Sequence, residues 1–204
     1  MRTSIPPVTV AILVANVAVF VAELGIGERA FVPFALWPLG PYFAVWQILT
    51  YGFIHGSAGH VFFNMFAVYM FGSTMERVWG SPRYAAYYLV CVASAGITQL
   101  VVNALTGSGA PTVGASGGVF GLLLAFALYF PRQRLVLLFP PIPMPAWLFV
   151  TLYGAIELFF GVTGTQAGVA HFAHLGGMLG GYALAQRWRQ RPPSPYAGAD
   201  YWRA

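Results

Sequence analysis

Long apolar runs dominate this chain, separated by charges, prolines and glycine clusters. They cover residues 8–24, 59–76, 84–105, 115–131, 145–162 and 168–186. Each is close to the roughly 20 residues that a helix needs to cross the ~30 Å hydrocarbon core of a bilayer. Lipid offers no hydrogen-bonding partners to the backbone, so an unclosed chain crosses it only as helices. The pattern predicts an all-α, polytopic membrane protein with a bundle of six transmembrane helices.

The region between the first two runs, residues 25–58, follows a different pattern. It is rich in proline, glycine and aromatic residues from Phe31 to Trp46, too broken for a span and too apolar for water. We expect it to lie in the membrane interface as a partly inserted loop. The first run is long for a signal peptide and lacks a clean small-residue cleavage site. We therefore predict that it is a retained first span.

Composition excludes a soluble domain. The 204 residues are 58% hydrophobic and 7% charged, whereas soluble domains carry about 25% charged residues. We predict one membrane domain over residues 1–186 and a short cytoplasmic C-terminal tail over 187–204, where a Pro-Pro-Ser-Pro stretch indicates disorder. Cys91 is the single cysteine, so no intramolecular disulfide can form.

The net charge of +5 comes from ten arginines and five acidic residues. The arginines lie at the ends of apolar runs and form no basic stripe, so nucleic acid is not an expected partner. In a six-span topology only Arg29 falls on the side opposite the N-terminus. The positive-inside rule then places both termini in the cytoplasm, and we expect a multi-pass protein of a cell membrane, a bacterial inner membrane. The arginines on the N-terminal side are Arg2, Arg77, Arg83, Arg132, Arg134, Arg187, Arg189, Arg191 and Arg203.

Polar side chains inside spans are costly and are functional candidates by default. Counting ~1.5 Å per residue from the arginine at the cytoplasmic end of each run puts four of them at a height of ~20–25 Å. That layer lies roughly 5–10 Å below the outer surface of the core. The shared depth indicates a reactive site inside the membrane but near its outer face. The four residues are His60, Asn64, Ser116 and His174.

A serine among small residues begins the fourth span, in the sequence Gly-Ala-Ser-Gly-Gly from Gly114 to Gly118. Small neighbours allow a peptide to approach Ser116, and the free N–H groups of a helix start can stabilise developing negative charge. The same residues fit the Gly-x-Ser-x-Gly nucleophile elbow of soluble hydrolases, but in those enzymes a β-strand precedes the motif. Taken alone, the sequence fits small-residue helix packing equally well.

A histidine on the last span has a close-packing face beside it. Gly176, Gly177, Gly180 and Gly181 form two interleaved Gly-x-x-x-Gly spacings directly after His174, and such spacings allow helices to approach closely. Close packing could bring the imidazole to the serine hydroxyl. We therefore interpret His174 as a general base.

Together these motifs resemble the rhomboid family of intramembrane serine proteases, and the resemblance covers essentially the whole chain. The Gly-x-Ser-Gly motif of the family matches Gly114–Gly117, including the motif glycines Gly114 and Gly117. Its Ala-His-x-x-Gly motif matches Ala173–Gly177, ending on Gly177, and its His-x-x-x-Asn pair matches His60–Asn64. The three motifs occur in the family order on spans two, four and six.

The resemblance implies a catalytic dyad of Ser116 and His174, with an oxyanion hole formed by His60, Asn64 and the Ser116 backbone N–H. It implies hydrolysis without a cofactor or metal. Substrates would be transmembrane segments of other membrane proteins, with easily unwound helices and a small residue at the cut. The i, i+4 spacing independently puts His60 and Asn64 on one helix face. An interhelical hydrogen-bond clamp is the alternative role for Asn64.

Three further polar residues have less certain roles. His171 is a second candidate base, but the family glycine spacing fits His174 alone. Glu157 could orient the histidine as a triad acid; because the resemblance implies a dyad, we favour a packing or gating contact. We favour structural roles for His55 and for Glu76 with Arg77, which also resemble family positions.

Two other classes of function are considered beside the protease. An inactive rhomboid-like protein that binds membrane clients would not need both Ser116 and His174. A transporter or channel could use intramembrane histidines to relay protons or bind metal, but it would have charged residues lining both halves of the membrane, whereas the polar layer here is confined to the outer part. A zinc protease of the His-Glu-x-x-His type is excluded because that motif does not occur.

Overall fold

The computed structural model describes residues 4–137, 140–165 and 168–189, and this part of the chain is mostly helical. Most of the predicted C-terminal tail, from residue 190 onward, lies outside the described residues. The helices are α1 Pro7–Ile26, α2 Gln47–Thr50, α3 Ala58–Ala67, α4 Ser73–Trp79, α5 Ser81–Thr106, α6 Ser116–Tyr129, α7 Ala146–Thr163 and α8 His171–Arg189.

Each predicted apolar run corresponds to helical structure. The second run is built from three pieces in direct succession: α3, a π-helical turn at Val68–Gly72, and α4. Among the described residues, three helices are long and apolar enough to cross a membrane, namely α1, α5 and α7. With 14 residues, α6 is only ~21 Å long at 1.5 Å per residue, shorter than a full bilayer core. The count of six spans stays a prediction.

The chain between α6 and α7 adds two short paired strands to the mostly helical structure that the apolar runs predicted. Strand β1, Arg134–Val136, pairs antiparallel with β2, Pro143–Pro145, so that Leu135 lies opposite Met144. This connection lies between two long apolar runs, so the bilayer does not require it to be helical. Pairing satisfies backbone groups of a short extended segment whose central Leu135 is buried.

Short helical turns organise the aromatic region of residues 25–58. It contains 3₁₀ turns at Glu28–Phe34 and Tyr51–Phe53 as well as α2. Leu36, fully buried, forms an antiparallel bridge with Thr112 in the loop before α6. The two connections predicted to lie on the outer side of the membrane are thus joined to each other.

The buried carboxylate of Glu76 joins α4 to the N-terminal ends of α1 and α5. Glu76 in α4 accepts hydrogen bonds from the backbone N–H of Thr9 at 2.7 Å and of Val8 at 2.9 Å, both in the first turn of α1. It also accepts the hydroxyl of Ser81, the first residue of α5, at 2.6 Å. Helix starts leave N–H groups without partners, so this carboxylate has a structural role, as its sequence context suggested.

Close contact between α5, α6 and α8 forms the centre of the molecule. Glycines permit it: a side chain at Gly121 of α6 would collide with Cys91 of α5, and one at Gly180 of α8 would collide with Ser94 of α5. The helices α6 and α8 are equally close, since a side chain at Gly177 would meet the carbonyl oxygen of Gly117. The interleaved glycine spacings therefore pack against two helices.

Candidate active site

Ser116 is the first residue of α6 and is half-buried. Gly114, two residues earlier, has a φ of +122°, a conformation that L side chains rarely adopt. Its N–H donates to the carbonyl of Tyr51 at 2.9 Å. The turn at Gly114 therefore directly precedes the helix start at Ser116, and its hydrogen bond holds it against the buried Tyr51.

His174, in the first turn of α8, contacts the serine directly. Its Nε2 lies 2.8 Å from the Ser116 Oγ, and the side chain is almost completely buried. The ring of Phe120, one turn beyond Ser116 on α6, stacks on the imidazole at 4.3 Å between centroids and 6° between planes. The stacking fixes the plane of the ring, and the close Gly117–Gly177 crossing brings the two helices near enough for the contact.

Glu157 of α7 lies on the other side of the imidazole. Its Oε2 is 2.9 Å from Nδ1 of His174 and 2.7 Å from Nδ1 of His171. All three side chains are buried. Sequence reasoning had favoured a packing or gating contact for Glu157, whereas the structure places its carboxylate in hydrogen-bonding contact with both candidate bases.

The two histidines of α8 therefore differ in what they reach. Both share the carboxylate, but His174 also reaches Ser116. The Nε2 atom of His171 is buried without a hydrogen-bond partner among the described residues, and its ring packs near Phe160. This geometry supports the preference for His174 as the base.

His60 lies in the first turn of α3, beside the serine turn, and Asn64 follows it on the same helix. The N–H of His60 donates to the capping hydroxyl of Ser57 at 3.1 Å. Its ring lies against Gly114, where an added Cβ would come within 2.6 Å of the imidazole Cε1. Asn64 is buried one turn later, and its Nδ2 donates to the His60 carbonyl at 3.0 Å. That bond uses one amide hydrogen and leaves the second available.

The start of α6 supplies further donors. The first backbone bond of the helix runs from the Val119 N–H to the Ala115 carbonyl at 3.1 Å. The preceding amides, including that of Ser116, have no acceptor within a helix of this kind. Backbone N–H groups beside a nucleophile can stabilise an oxyanion, and the helix dipole favours negative charge at the same end.

His55 lies outside this hydrogen-bonded group, although its ring contacts His60 edge to face at 4.9 Å. Burial, and then the neighbouring His60, lower the pKa of His55 to about 4. The imidazole is consequently neutral at pH 7. A neutral ring packed against His60 agrees with the structural role favoured from the sequence.

Sequence reasoning missed Phe120. It lies four residues after Ser116, so the i, i+4 rule places both on one face of α6, and this was the available signal.

Glu157, His171 and His174 also hold ligand atoms within 4.8 Å of one another, a set of two imidazoles and a carboxylate that suits zinc. The same atoms are already paired by hydrogen bonds.

Comparison with known proteins defines the class. The sequence model of the Rhomboid domain matches residues 42–191, a stretch that contains all three motifs and the hydrogen-bonded site. The chain belongs to the rhomboid family. This family is membrane-embedded and includes proteases, in agreement with the apolar helices seen here.

Curated relatives include proteins of Yersinia pestis, mouse and Arabidopsis thaliana. The rhomboid protease GlpG of Yersinia pestis is 25% identical over 187 residues, covering 91% of this chain and 64% of that protein. The mouse mitochondrial presenilin-associated rhomboid-like protein is 29% identical over 69% of this chain and 39% of its own length. RHOMBOID-like protein 4 of Arabidopsis thaliana is 30% identical over 68% and 33%. The chain thus spans about one third to two thirds of the length of these three relatives.

Proposed function

We propose that this chain is an intramembrane serine endopeptidase in which Ser116 is the nucleophile and His174 its general base. The observation that carries the proposal is the 2.8 Å contact between Ser116 Oγ and His174 Nε2. A nucleophile within hydrogen-bond reach of an oriented base is the recurring arrangement of acyl-transfer enzymes. Kinship with the rhomboid protease GlpG supports the same reaction class.

The reaction follows from this geometry. Ser116 Oγ attacks the scissile carbonyl while its proton moves to His174 Nε2, and the same proton then passes to the leaving amine. The Ser116 N–H, His60 and Asn64 stabilise the oxyanion of the tetrahedral intermediate. A water molecule, deprotonated by His174, hydrolyses the acyl-enzyme and regenerates the serine.

The substrate class and membrane setting belong to the proposal as well. We place the site in a six-helix bundle, with both termini in the cytoplasm of a bacterial inner membrane and the serine near the outer face. Substrates are transmembrane segments of other membrane proteins, reached from the lipid bilayer. The glycines beside Ser116 are filled by the protein itself, Gly114 by the His60 ring and Gly117 by Ala95, so they hold the serine turn close to its neighbours.

Covalent labelling tests the nucleophile. Purified protein in detergent is treated with a fluorophosphonate probe and, separately, with a generic transmembrane substrate in the presence of a metal chelator. We expect Ser116 to be labelled and the substrate to be cut, because the proposed hydrolysis needs no metal. Ser116→Ala should abolish both signals. Ser94→Ala is the matched control, since the Ser94 hydroxyl only donates to the Gly176 carbonyl at 2.8 Å.

Three results would contradict the proposal. Cleavage by Ser116→Ala that is free of contaminating protease would refute the assigned nucleophile. Loss of cleavage on chelation would favour metal chemistry at Glu157, His171 and His174. Folded protein that neither takes up the probe nor cuts any transmembrane substrate would favour an inactive, client-binding relative.

A further inference from the structure

The buried carboxylate of Glu157 contacts the proposed base, His174, on the side of the ring away from Ser116. Glu157 on α7 is separated from Ser116 by the imidazole of His174, with 2.9 Å from Oε2 to Nδ1 on one side and 2.8 Å from Nε2 to Oγ on the other. The three polar groups form a continuous hydrogen-bonded line. They come from three different helices, α7, α8 and α6.

The carboxylate determines which nitrogen of the imidazole carries the proton. An ionised carboxylate only accepts hydrogen bonds, so the atom that faces it, Nδ1 of His174, is the one that donates. A neutral imidazole has one N–H, which leaves Nε2 with a free lone pair directed at the serine hydroxyl. This is the tautomer that a general base requires, because Nε2 must accept the proton of Ser116.

We propose that Glu157 is a positioning residue for His174, so that the site works as a Ser–His–Glu triad and not as an isolated dyad. The inference rests on the proposed function. Glu157 touches no substrate; it acts by fixing the tautomer and orientation of His174 and by stabilising the imidazolium that forms when the proton arrives. Phe120 fixes the plane of the same ring from one face, so the base is held on two sides.

His171 contacts the same carboxylate but lies outside the line to the serine. Its Nδ1 donates to the same Oε2 atom at 2.7 Å. Because its Nε2 contacts no polar partner among the described residues, His171 has no route to the reacting atoms. If Glu157 only clamped α7 to α8, its bonds to the two histidines would be equivalent; in the triad only the bond to His174 acts on the general base.

Steady-state kinetics of Glu157→Gln test the proposal. The glutamine keeps the shape but can present an N–H to Nδ1 and so favour the wrong tautomer. We expect kcat to fall by up to about 10⁴-fold with KM unchanged, the loss caused by replacing the corresponding carboxylate in soluble triads. Fluorophosphonate labelling of Ser116 should slow in parallel. The matched control is His171→Gln, which breaks the other bond to the same carboxylate and should change kcat only a few-fold.

A second measurement uses the unaltered protein and does not depend on activity. ¹⁵N-labelled histidine spectra, assigned by comparison with variants that each replace one of the four histidines, distinguish the two neutral tautomers, and we expect the Nδ1–H form for His174. Observation of the Nε2–H form in the resting protein would overturn the proposal even if Glu157→Gln failed to fold.

The outcomes separate this inference from the proposed function. If Ser116→Ala and His174→Ala were inactive while folded Glu157→Gln kept the original kcat, the triad would be wrong and the dyad would stand. If His171→Gln were as slow as Glu157→Gln, the carboxylate would be a helix clamp. If Ser116→Ala still cut substrate, the proposed function itself would fail, whatever the tautomer of His174.

Discussion

The carbonyl oxygen of Gly117 on α6 occupies the space that a side chain at Gly177 on α8 would need. Each glycine is close in sequence to a candidate catalytic residue, Ser116 on one helix and His174 on the other. The distance between hydroxyl and imidazole is therefore set by how closely these two backbones approach. Helix packing through small residues is the usual means of close approach in membranes.

Gly177→Ala should push α8 away from α6. The added methyl group meets backbone and not a flexible side chain, so the helices must separate, and overpacking of this kind costs about 1–3 kcal/mol. We expect a lower thermal transition in detergent and loss of most cleavage. Gly154→Ala on α7 is the control, because its methyl group would lie 3.6 Å from Met178 in ordinary contact. Equal activity of both variants would contradict the role of the crossing.

His174→Ala should be as inactive as Ser116→Ala, with the double variant no worse, because a nucleophile and its base act as a unit. His171→Gln should keep most activity, since His171 contacts the carboxylate and not the serine. Cleavage rates of variants with unchanged thermal transitions check this. An inactive His171→Gln beside an active His174→Gln would reverse the assignment of the base.

Asn64→Ala should slow turnover by ~10²–10³ and leave measurable cleavage, the loss expected for one oxyanion donor. Asn16→Ala is a matched control: Asn16 on α1 is also buried and makes the same amide bond to the carbonyl four residues earlier, at 2.8 Å. If both variants lost stability and activity alike, the interhelical clamp would be the better account of Asn64.

Reporter fusions at residues 108 and 204 should give opposite signals. The distribution of arginines predicts both termini in the cytoplasm and the loop before α6 outside. The bridge between Leu36 and Thr112 further predicts that a reporter in the 25–58 region agrees with the one at 108. Equal signals at 108 and 204 would contradict the six-span topology and the shared depth of the polar residues.

Much of this protein could be inferred from its sequence, because the bilayer permits few structures. Apolar runs of near-constant length required helices, and the Rhomboid-domain match confirms the family that the three motifs indicated. The π-helical turn at Val68–Gly72 and the hairpin of Leu135 were not predicted. Such details depend on local backbone hydrogen bonding, which the pattern of apolar residues does not predict.

The sequence by itself determined the membrane setting, the family and the residue types able to carry acyl transfer. The tertiary structure decided which of them meet. His171 and His174 are one turn apart on α8, and of the two only His174 faces α6 and reaches Ser116. The contact of Glu157 with both rings likewise depends on the rotation of α7. A helix that is apolar all around carries little periodic signal for its orientation, so only packing against its neighbours sets it.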